Sequence, residues 1–415
     1  MEMDKEEATG RSKIMKKKII SITLSLALTT CLLYGCGSAE ATSSAETVAS
    51  QASSVASSAA VSSTTASAST SETGTTSVGT PGEMSNEEIV KKAAEDGMVG
   101  NWGLGNEYEI KALLAKYGEP TDYLSQAFDM DGFDDGSIEL ASAMTYNELG
   151  LVKNSYEGGY SYGDTVGTID MNEEGVAMLE DNIFCTKTFA KENPNTVKAF
   201  LYASLKGWAD ACADPDAAAD IVYKYGSSVS PDHQKYMATE VKKLMETDTN
   251  GNTVTDYGHM DEDAMQQTLD LAKKYISLDD ATAASKLQAL SLDDIRDTSF
   301  WEEVNASSDG NFGTPEKTDI SIQLKWLPQA QFMGYYVALD KGYYKDAGLN
   351  VTITPGGGDI SETTAVNNGT VDFGQTWVSN LIAADAGGMD LVEVSQLFQR
   401  SGLDLVYKLD TFKAE

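Results

Sequence analysis

Histidine is almost absent from this chain. His233 and His259 are the two in 415 residues. They stand far apart, so a histidine-based metal site or a Ser-His-Asp triad has little material. Basic residues are scarce beside acids: 30 Lys and Arg stand against 64 Asp and Glu, a net charge of −34. Such a surface repels phosphate backbones, which excludes nucleic acid as a partner, and it keeps a surface protein soluble. Cysteine is limited to Cys31, Cys36, Cys185 and Cys212, with no Cys-rich cluster.

What is present begins at the N-terminus. Met15-Lys16-Lys17-Lys18 is a basic start, "IISITLSLALTTCLLYG" is an apolar run, and Cys36 follows Gly35. The run is short for a membrane span and stops at a small residue. It resembles a bacterial lipoprotein signal over 1–36, with Cys36 diacylated as the mature N-terminus and the residues before Met15 an upstream start. The implied location is the extracellular face of the cell membrane, held by lipid. Residues 37–82 are Ser, Ala and Thr with no apolar period, so they read as a disordered tether reaching roughly 35–40 Å. With Cys31 and Cys36 removed or lipidated, Cys185 and Cys212 read as two buried thiols in helix-like segments; whether they are bridged stays open.

The remainder is an α/β pattern. "EEIVKKAAEDG" reads as a helix, "GMVGNW" as a strand and "EYEIKALLAKYG" as a helix, with strand-like pieces around "YLSQAF" and "IELASAMTY". Beyond Asn182 the pattern turns helical. Asn193-Pro194, Asp214-Pro215 and Ser230-Pro231 each place a cap residue before proline. Val197, Phe200, Leu201, Leu205 and Trp208 form one apolar stripe. "DEDAMQQTLDLAKKYI" and "SLDDIRD" read as further helices. Residues 304–319 are a Gly-, Ser-, Asn- and Pro-rich connector. After it strands ("ISIQLKW", "NVTI", "VDFGQ", "LVEVSQLF", "LDLVYK") alternate with helices, which predicts a mainly parallel sheet.

Several long segments carry a family resemblance. "LKWLPQAQFMGYYVALDKGYYKDAGLNVTITPGGGDI", "VNNGTVDFGQTWVSNLIAA" and "VSQLFQRSGLDLV" resemble the first half of the substrate-binding proteins related to thiamine-pyrimidine synthases. "VGNWGLGNEYEIKALLAKYG", "SAMTYNEL" and "GVAMLEDNIF" with the helical run from Asn193 resemble the second half. The resemblance implies a type II periplasmic-binding-protein fold, two doubly wound α/β lobes joined by a hinge. The family's order is reversed here, so the chain resembles a circular permutant: 83–303 as the second half (lobe two plus C-terminal helices of lobe one), 304–319 as the connector, 320–415 as the first half (lobe one). New ends would fall in the hinge, at the cost of one broken hinge strand. A remnant of a tandem gene, or two chains pairing their halves, is the other account. The resemblance also implies an ABC permease and ATPase as partners and a small heterocyclic ligand, such as a pyrimidine precursor of thiamine or riboflavin. It implies no cofactor, no metal and no catalysis.

Candidate ligand residues follow. Trp326 and Trp377 each end a strand, where the cleft of such a fold lies, and a flat ring stacks well on an indole. Tyr335 is a further aromatic, with core packing as its other reading. Gln329 and Gln331 carry amides that both donate and accept. Arg400 and Ser401 sit at a strand turn, where Arg400 could equally form a structural ion pair. In "TYNE", Tyr146 and Asn147 can add a ring face and an amide, and Glu148 can accept a charge-assisted bond; alternatively the motif opens a helix. Asn106 faces the same choice. "ETDTNGNTVTDY" lacks the Glu of a calcium loop and reads as a turn; "PGGGDI" is a βα turn. The superfamily's pyrimidine synthases use a Cys-rich segment and a His as reactants; this chain has no such Cys cluster and neither His233 nor His259 lies in the matching strand region, which argues against synthase-like chemistry and leaves it as an alternative. A sulfonate- or nitrate-type receptor and a non-functional rearranged copy are the others.

Overall fold

The computed structural model describes residues 84–414. The signal, the tether and the lipidation expected at Cys36 lie outside the described residues. Among the described residues, ten strands form two five-stranded sheets. The first contains β1 (Val99–Asn101), β2 (Leu124–Ser125), β3 (Leu140–Met144), β4 (Val166–Asp170) and, from the other end of the chain, β10 (Leu403–Lys408). The second contains β5 (Asn182–Thr186), β6 (Asp319–Gln323), β7 (Asn350–Thr354), β8 (Phe373–Gly374) and β9 (Leu391–Gln396). The orders are β2-β1-β3-β10-β4 and β7-β6-β8-β5-β9. Each sheet is therefore built alike: three parallel strands, one reversed strand, and an outer strand. The arrangement is consistent with a two-lobe periplasmic-binding-like fold.

The reversed strand is the one the chain enters from the opposite lobe. β4 leads into β5 through residues 171–181, and β9 leads into β10 through 397–402. The two crossings lie together: the backbone N–H groups of Leu397 and Phe398 both donate to the Asp181 carbonyl, at 3.0 and 3.1 Å.

Several expectations change here. The sheets are mixed rather than mainly parallel, because β5 and β10 insert against their neighbours' direction. The last strand, expected in lobe one, completes the sheet of lobe two. Both crossings are continuous among the described residues, so the expected broken hinge strand is not seen. Strands β4 and β5 also replace what read as connecting or helical sequence, and Cys185 lies in β5 rather than in a helix. Cys185 and Cys212 are both free and buried, as read.

The helix starts follow their caps. The Asp214 carboxylate accepts from Ala217 N at 3.1 Å and the Ser230 hydroxyl from His233 N at 3.3 Å, each beside a proline that has no N–H to satisfy. Helix Pro194–Ala213 borrows its cap instead. Asn193 supplies no side-chain bond, and Glu316 of the connector accepts from Thr196 N at 2.9 Å. The connector is thereby pinned to the lobe it spans.

The same helix welds the early and late parts of the chain. Its stripe packs on helix Met333–Asp340, and two glycines permit the approach: a Cβ on Gly207 would lie 2.2 Å from the Gly334 carbonyl oxygen, and one on Gly334 would lie 2.1 Å from the Trp208 ring. Phe200 stacks on Phe373 at 4.1 Å and on Tyr344 at 5.6 Å. Each such buried aromatic contributes about 1.5–3 kcal/mol from removal of apolar surface.

Candidate functional site

Parallel strands of both sheets end at one cleft. From lobe two, the loop after β1 brings Trp102 and Leu104, the segment after β2 brings Phe128, and the end of β3 brings Met144, Tyr146, Asn147 and Glu148. From lobe one, the end of β6 brings Lys325, Trp326, Gln329 and Gln331, and the end of β8 brings Trp377. Ligands of open α/β sheets bind at such carboxyl ends because loops there are free to vary while the strands hold them. The free volume is about 50 Å³, room for a few waters. A ring entering this cleft must part the walls slightly.

The walls are aromatic faces with polar groups between them. Trp326 and Phe128 meet edge to face across the cleft, centroids 5.0 Å apart. Phe128 is 53% exposed and offers its ring to the cleft opening. Tyr146 is fixed from behind by Phe398, at 5.8 Å.

Two buried carboxylates organise the polar part. Asp181, on the first crossing, accepts from Gln331 Nε2 at 2.9 and 3.1 Å and from Trp377 Nε1 at 3.1 Å. Gln331 in turn accepts from Gln329 Nε2 at 2.8 Å. The chain of bonds sets the orientation of three cleft side chains from one hinge carboxylate. Burial pushes the Asp181 carboxyl up to about 7, against the bonds from Gln331 and Gln375 and the nearby Lys325. Glu148 accepts from Met144 N at 3.0 Å and Asn147 Nδ2 at 2.7 Å. Burial raises it too, to about 7, with those bonds opposing. Asn147 Oδ1 is buried without a hydrogen-bond partner, an acceptor suited to a donor from outside.

Lys325 is the cation on this wall. Its Nζ lies 3.3 Å from Glu362 Oε1, in a pair where both side chains are under a tenth exposed. It also sits 4.4 Å from the Trp377 ring centroid and 3.3 Å from the Leu104 carbonyl oxygen. Its charge is thus already answered by a carboxylate, a ring face and a carbonyl.

The structure brings together Trp326, Gln329, Gln331, Trp377, Tyr146, Asn147 and Glu148 of the residues picked out from sequence. It does not bring in four others. Tyr335 is fully buried in the core, edge-on to Trp208 at 5.7 Å, because its helix face packs on Pro194–Ala213. Arg400 pairs with Asp170 on the hinge, the structural ion pair. Ser401 bonds Glu180 at 3.4 Å between the crossings. Asn106 is buried behind the wall, accepting from Asn101 at 3.3 Å. Trp102, Leu104, Phe128, Met144, Lys325 and the supporting Asp181 were not foreseen. Trp102 and Lys325 follow strands as Trp326 and Trp377 do, a signal applied to those two tryptophans and not to these residues. Glu148 does open a helix, Glu148–Lys153, yet Asn147 turns its amide to Glu148 rather than capping.

No curated protein matches the chain. The NMT1/THI5-like family model matches in two stretches, residues 97–218 and 329–411, which between them carry nearly all of the cleft wall. These matches support placing the chain in the NMT1/THI5-like family, which includes solute-binding proteins.

Proposed function

We propose that the chain is the extracellular, lipid-anchored solute receptor of an ABC importer, that it clasps a flat nitrogen heterocycle such as an aminopyrimidine between its lobes, and that it is a circularly permuted member of its family. The observation that carries the ligand reading is the pairing of ring faces from both lobes (Trp102, Tyr146, Trp326, Trp377) with the acceptors Glu148 and Asn147. A planar ring bearing amino groups satisfies both kinds of wall: stacking contributes about 0.5–1.5 kcal/mol per ring pair, and a bond to a charged acceptor about 1.5–3 kcal/mol. An anion such as a sulfonate or nitrate is poorly served, because Lys325 is already paired with Glu362. The narrow free volume favours one ring over a fused tricycle such as a flavin.

Synthase-like chemistry finds little support at this cleft. His233 stacks on Tyr156 at 5.0 Å and His259 lies against Trp301 at 4.9 Å, both off the cleft wall. The permuted order is supported by two sheets of like strand order whose reversed strands are exchanged through continuous crossings. Closure within one chain is supported by the packing of Pro194–Ala213 on Met333–Asp340. Light scattering of the folded region tests it: a monomer that binds ligand is expected, and an obligate dimer supports paired chains instead. Lipid attachment is tested by Cys36→Ser, which is expected to release the protein from the cell surface. The ligand reading is tested by calorimetric titration with an aminopyrimidine: saturable binding is expected, and no heat with any heterocycle overturns it.

A further inference from the structure

Helix Pro231–Glu246 bonds to the backbone of both cleft walls, although none of its side chains lines the cleft. It packs against Pro194–Ala213, Pro215–Tyr225 and the turn Ala330–Phe332, so it belongs with lobe one. There Gln234 Oε1 accepts from Ala330 N at 2.7 Å, on the residue between the cleft side chains Gln329 and Gln331. From the same turns the helix reaches lobe two. The Tyr236 hydroxyl donates to the Thr145 carbonyl at 2.7 Å, and His233 Nε2 lies 3.2 Å from the Asn147 carbonyl oxygen. A carbonyl only accepts, so this ring nitrogen carries the proton. The two carbonyls flank Tyr146. The rings seat closely as well: Tyr156 of lobe two stacks on His233 with planes 17° apart, and a Cβ on Gly150 would meet the Tyr236 ring. Near the far end of the helix, the Leu244 carbonyl accepts from Gln399 N at 2.8 Å, on the second crossing. One helix is thus tied to lobe one, lobe two and the hinge.

We propose that His233 and Tyr236 are positioning residues for ligand recognition: they seat the segment Thr145–Glu148 when the lobes close, and so aim the acceptors Asn147 and Glu148 at the ligand. The inference rests on the heterocycle reading of the cleft and adds to it two residues that never touch the ring. The route is short. His233 holds the Asn147 backbone, the Asn147 amide donates to Glu148 at 2.7 Å, and the buried Asn147 Oδ1 stays without a partner, open to a donor from the ligand. A hydrogen bond weakens steeply with misalignment, so the value of these acceptors depends on how the segment is held. Both bonds from the helix cross between the lobes. Parting the lobes breaks them, and closure remakes them.

Stopped-flow and equilibrium fluorescence titrations with an aminopyrimidine test this in the unaltered protein and in four variants. Tyr236→Phe keeps the packed ring and removes only the hydroxyl; it is expected to bind about threefold more weakly. His233→Leu is expected to bind about tenfold more weakly, each change being the loss of roughly one hydrogen bond. His233→Gln returns an N–H donor near the place of Nε2 and is expected to recover most of the loss seen in His233→Leu. Both losses should appear as faster release at an unchanged association rate, because the bonds exist only in the closed protein. Val241→Ala opens a cavity on the buried face of the same helix; it is expected to lower the Tm and keep the affinity, which separates positioning from stability. Unchanged affinity in Tyr236→Phe and His233→Leu overturns the inference and leaves the cleft reading in place. So does a loss that Gln recovers no better than Leu, or one that Val241→Ala matches. Absence of binding by the unaltered protein refutes the cleft reading and this inference together.

Discussion

The ammonium of Lys325 and the carbonyl oxygen of Leu104 face each other across the two lobes at 3.3 Å. Asn380 Nδ2 donates to the same carbonyl at 2.9 Å, and the Ser379 hydroxyl donates to the next one, on Gly105, at 2.6 Å. The loop that offers these carbonyls runs through three residues of positive φ: Gly103 at 79°, Leu104 at 67° and Gly105 at 116°. Leucine in that region stores strain of about 1–3 kcal/mol, held by its surroundings. The loop is a latch from lobe two onto the start of helix Val378–Ala386 in lobe one.

Gly105 is the residue on which the latch turns. A Cβ there would lie 2.4 Å from Asn380 Oδ1 and 2.8 Å from Ser379 Oγ, in a backbone conformation that alanine avoids. Gly105→Ala is expected to disengage the loop and let the lobes part. Small-angle scattering of the ligand-free protein should then give a larger radius of gyration than the unaltered chain. An unchanged radius would show that the latch does not hold the lobes.

The Lys325–Glu362 pair is expected to respond asymmetrically. Lys325→Met leaves the Glu362 carboxylate buried without its cation, a loss of about 3–5 kcal/mol. The double change Lys325→Met with Glu362→Gln removes both charges and is expected to recover most of that loss in urea unfolding. If the double variant is no more stable than the single one, the pair is not what Lys325 contributes.

Stability should fall as pH rises from about 5 to about 8. Burial raises Glu148 and Asp181 to about 7, and Glu109 and Glu393 to about 8. Unfolded carboxyls titrate near 4. Above that the unfolded chain has released protons that the folded chain still holds, so the folded state loses ground until these groups ionise. Despite burial, which raises a carboxyl, Lys116 holds Glu174 low and Lys341 holds Asp210 low; these add stability that is lost only at more acid pH. A ligand that donates to ionised Glu148 should bind more tightly as pH rises through about 7. Thermal unfolding across this range, with and without an aminopyrimidine, checks both slopes; a Tm that climbs from pH 5 to pH 8 in the ligand-free protein contradicts the first.

Much of the fold was legible because its signals are local. Proline after a capping residue marks a helix start whatever lies beyond it, and the three such starts stand where they were read. Strands β4 and β5 were missed because five residues carry too little pattern to separate strand from helix. The placement of β10 in lobe two is a matter of pairing, since "LDLVYK" looks the same in either sheet. At the cleft, strand-end aromatics were readable, whereas Asp181 acts through Gln331 and Trp377 from residues far away in sequence. Tyr335 lies on a helix face turned into the core, whereas Trp326 stands in the loop after β6, and residue type alone does not separate the two.

Packing between the early and late parts of the chain makes a separate test. Gly334 faces the Trp208 ring and Gly207 faces the Gly334 carbonyl with no room for a methyl group. Gly334→Ala is expected to cost about 1–3 kcal/mol through overpacking. Denaturant unfolding reads the loss directly; an unaffected midpoint would mean that the two helices do not meet as closely as described.

The most direct test of the account is a tryptophan-fluorescence titration of the folded region with an aminopyrimidine, in the unaltered protein and in Trp326→Ala and Glu148→Gln. The account predicts saturable quenching with one ligand per chain, reduced about tenfold or more in affinity by either substitution. Quenching that never saturates, or that survives both substitutions unchanged, would contradict it.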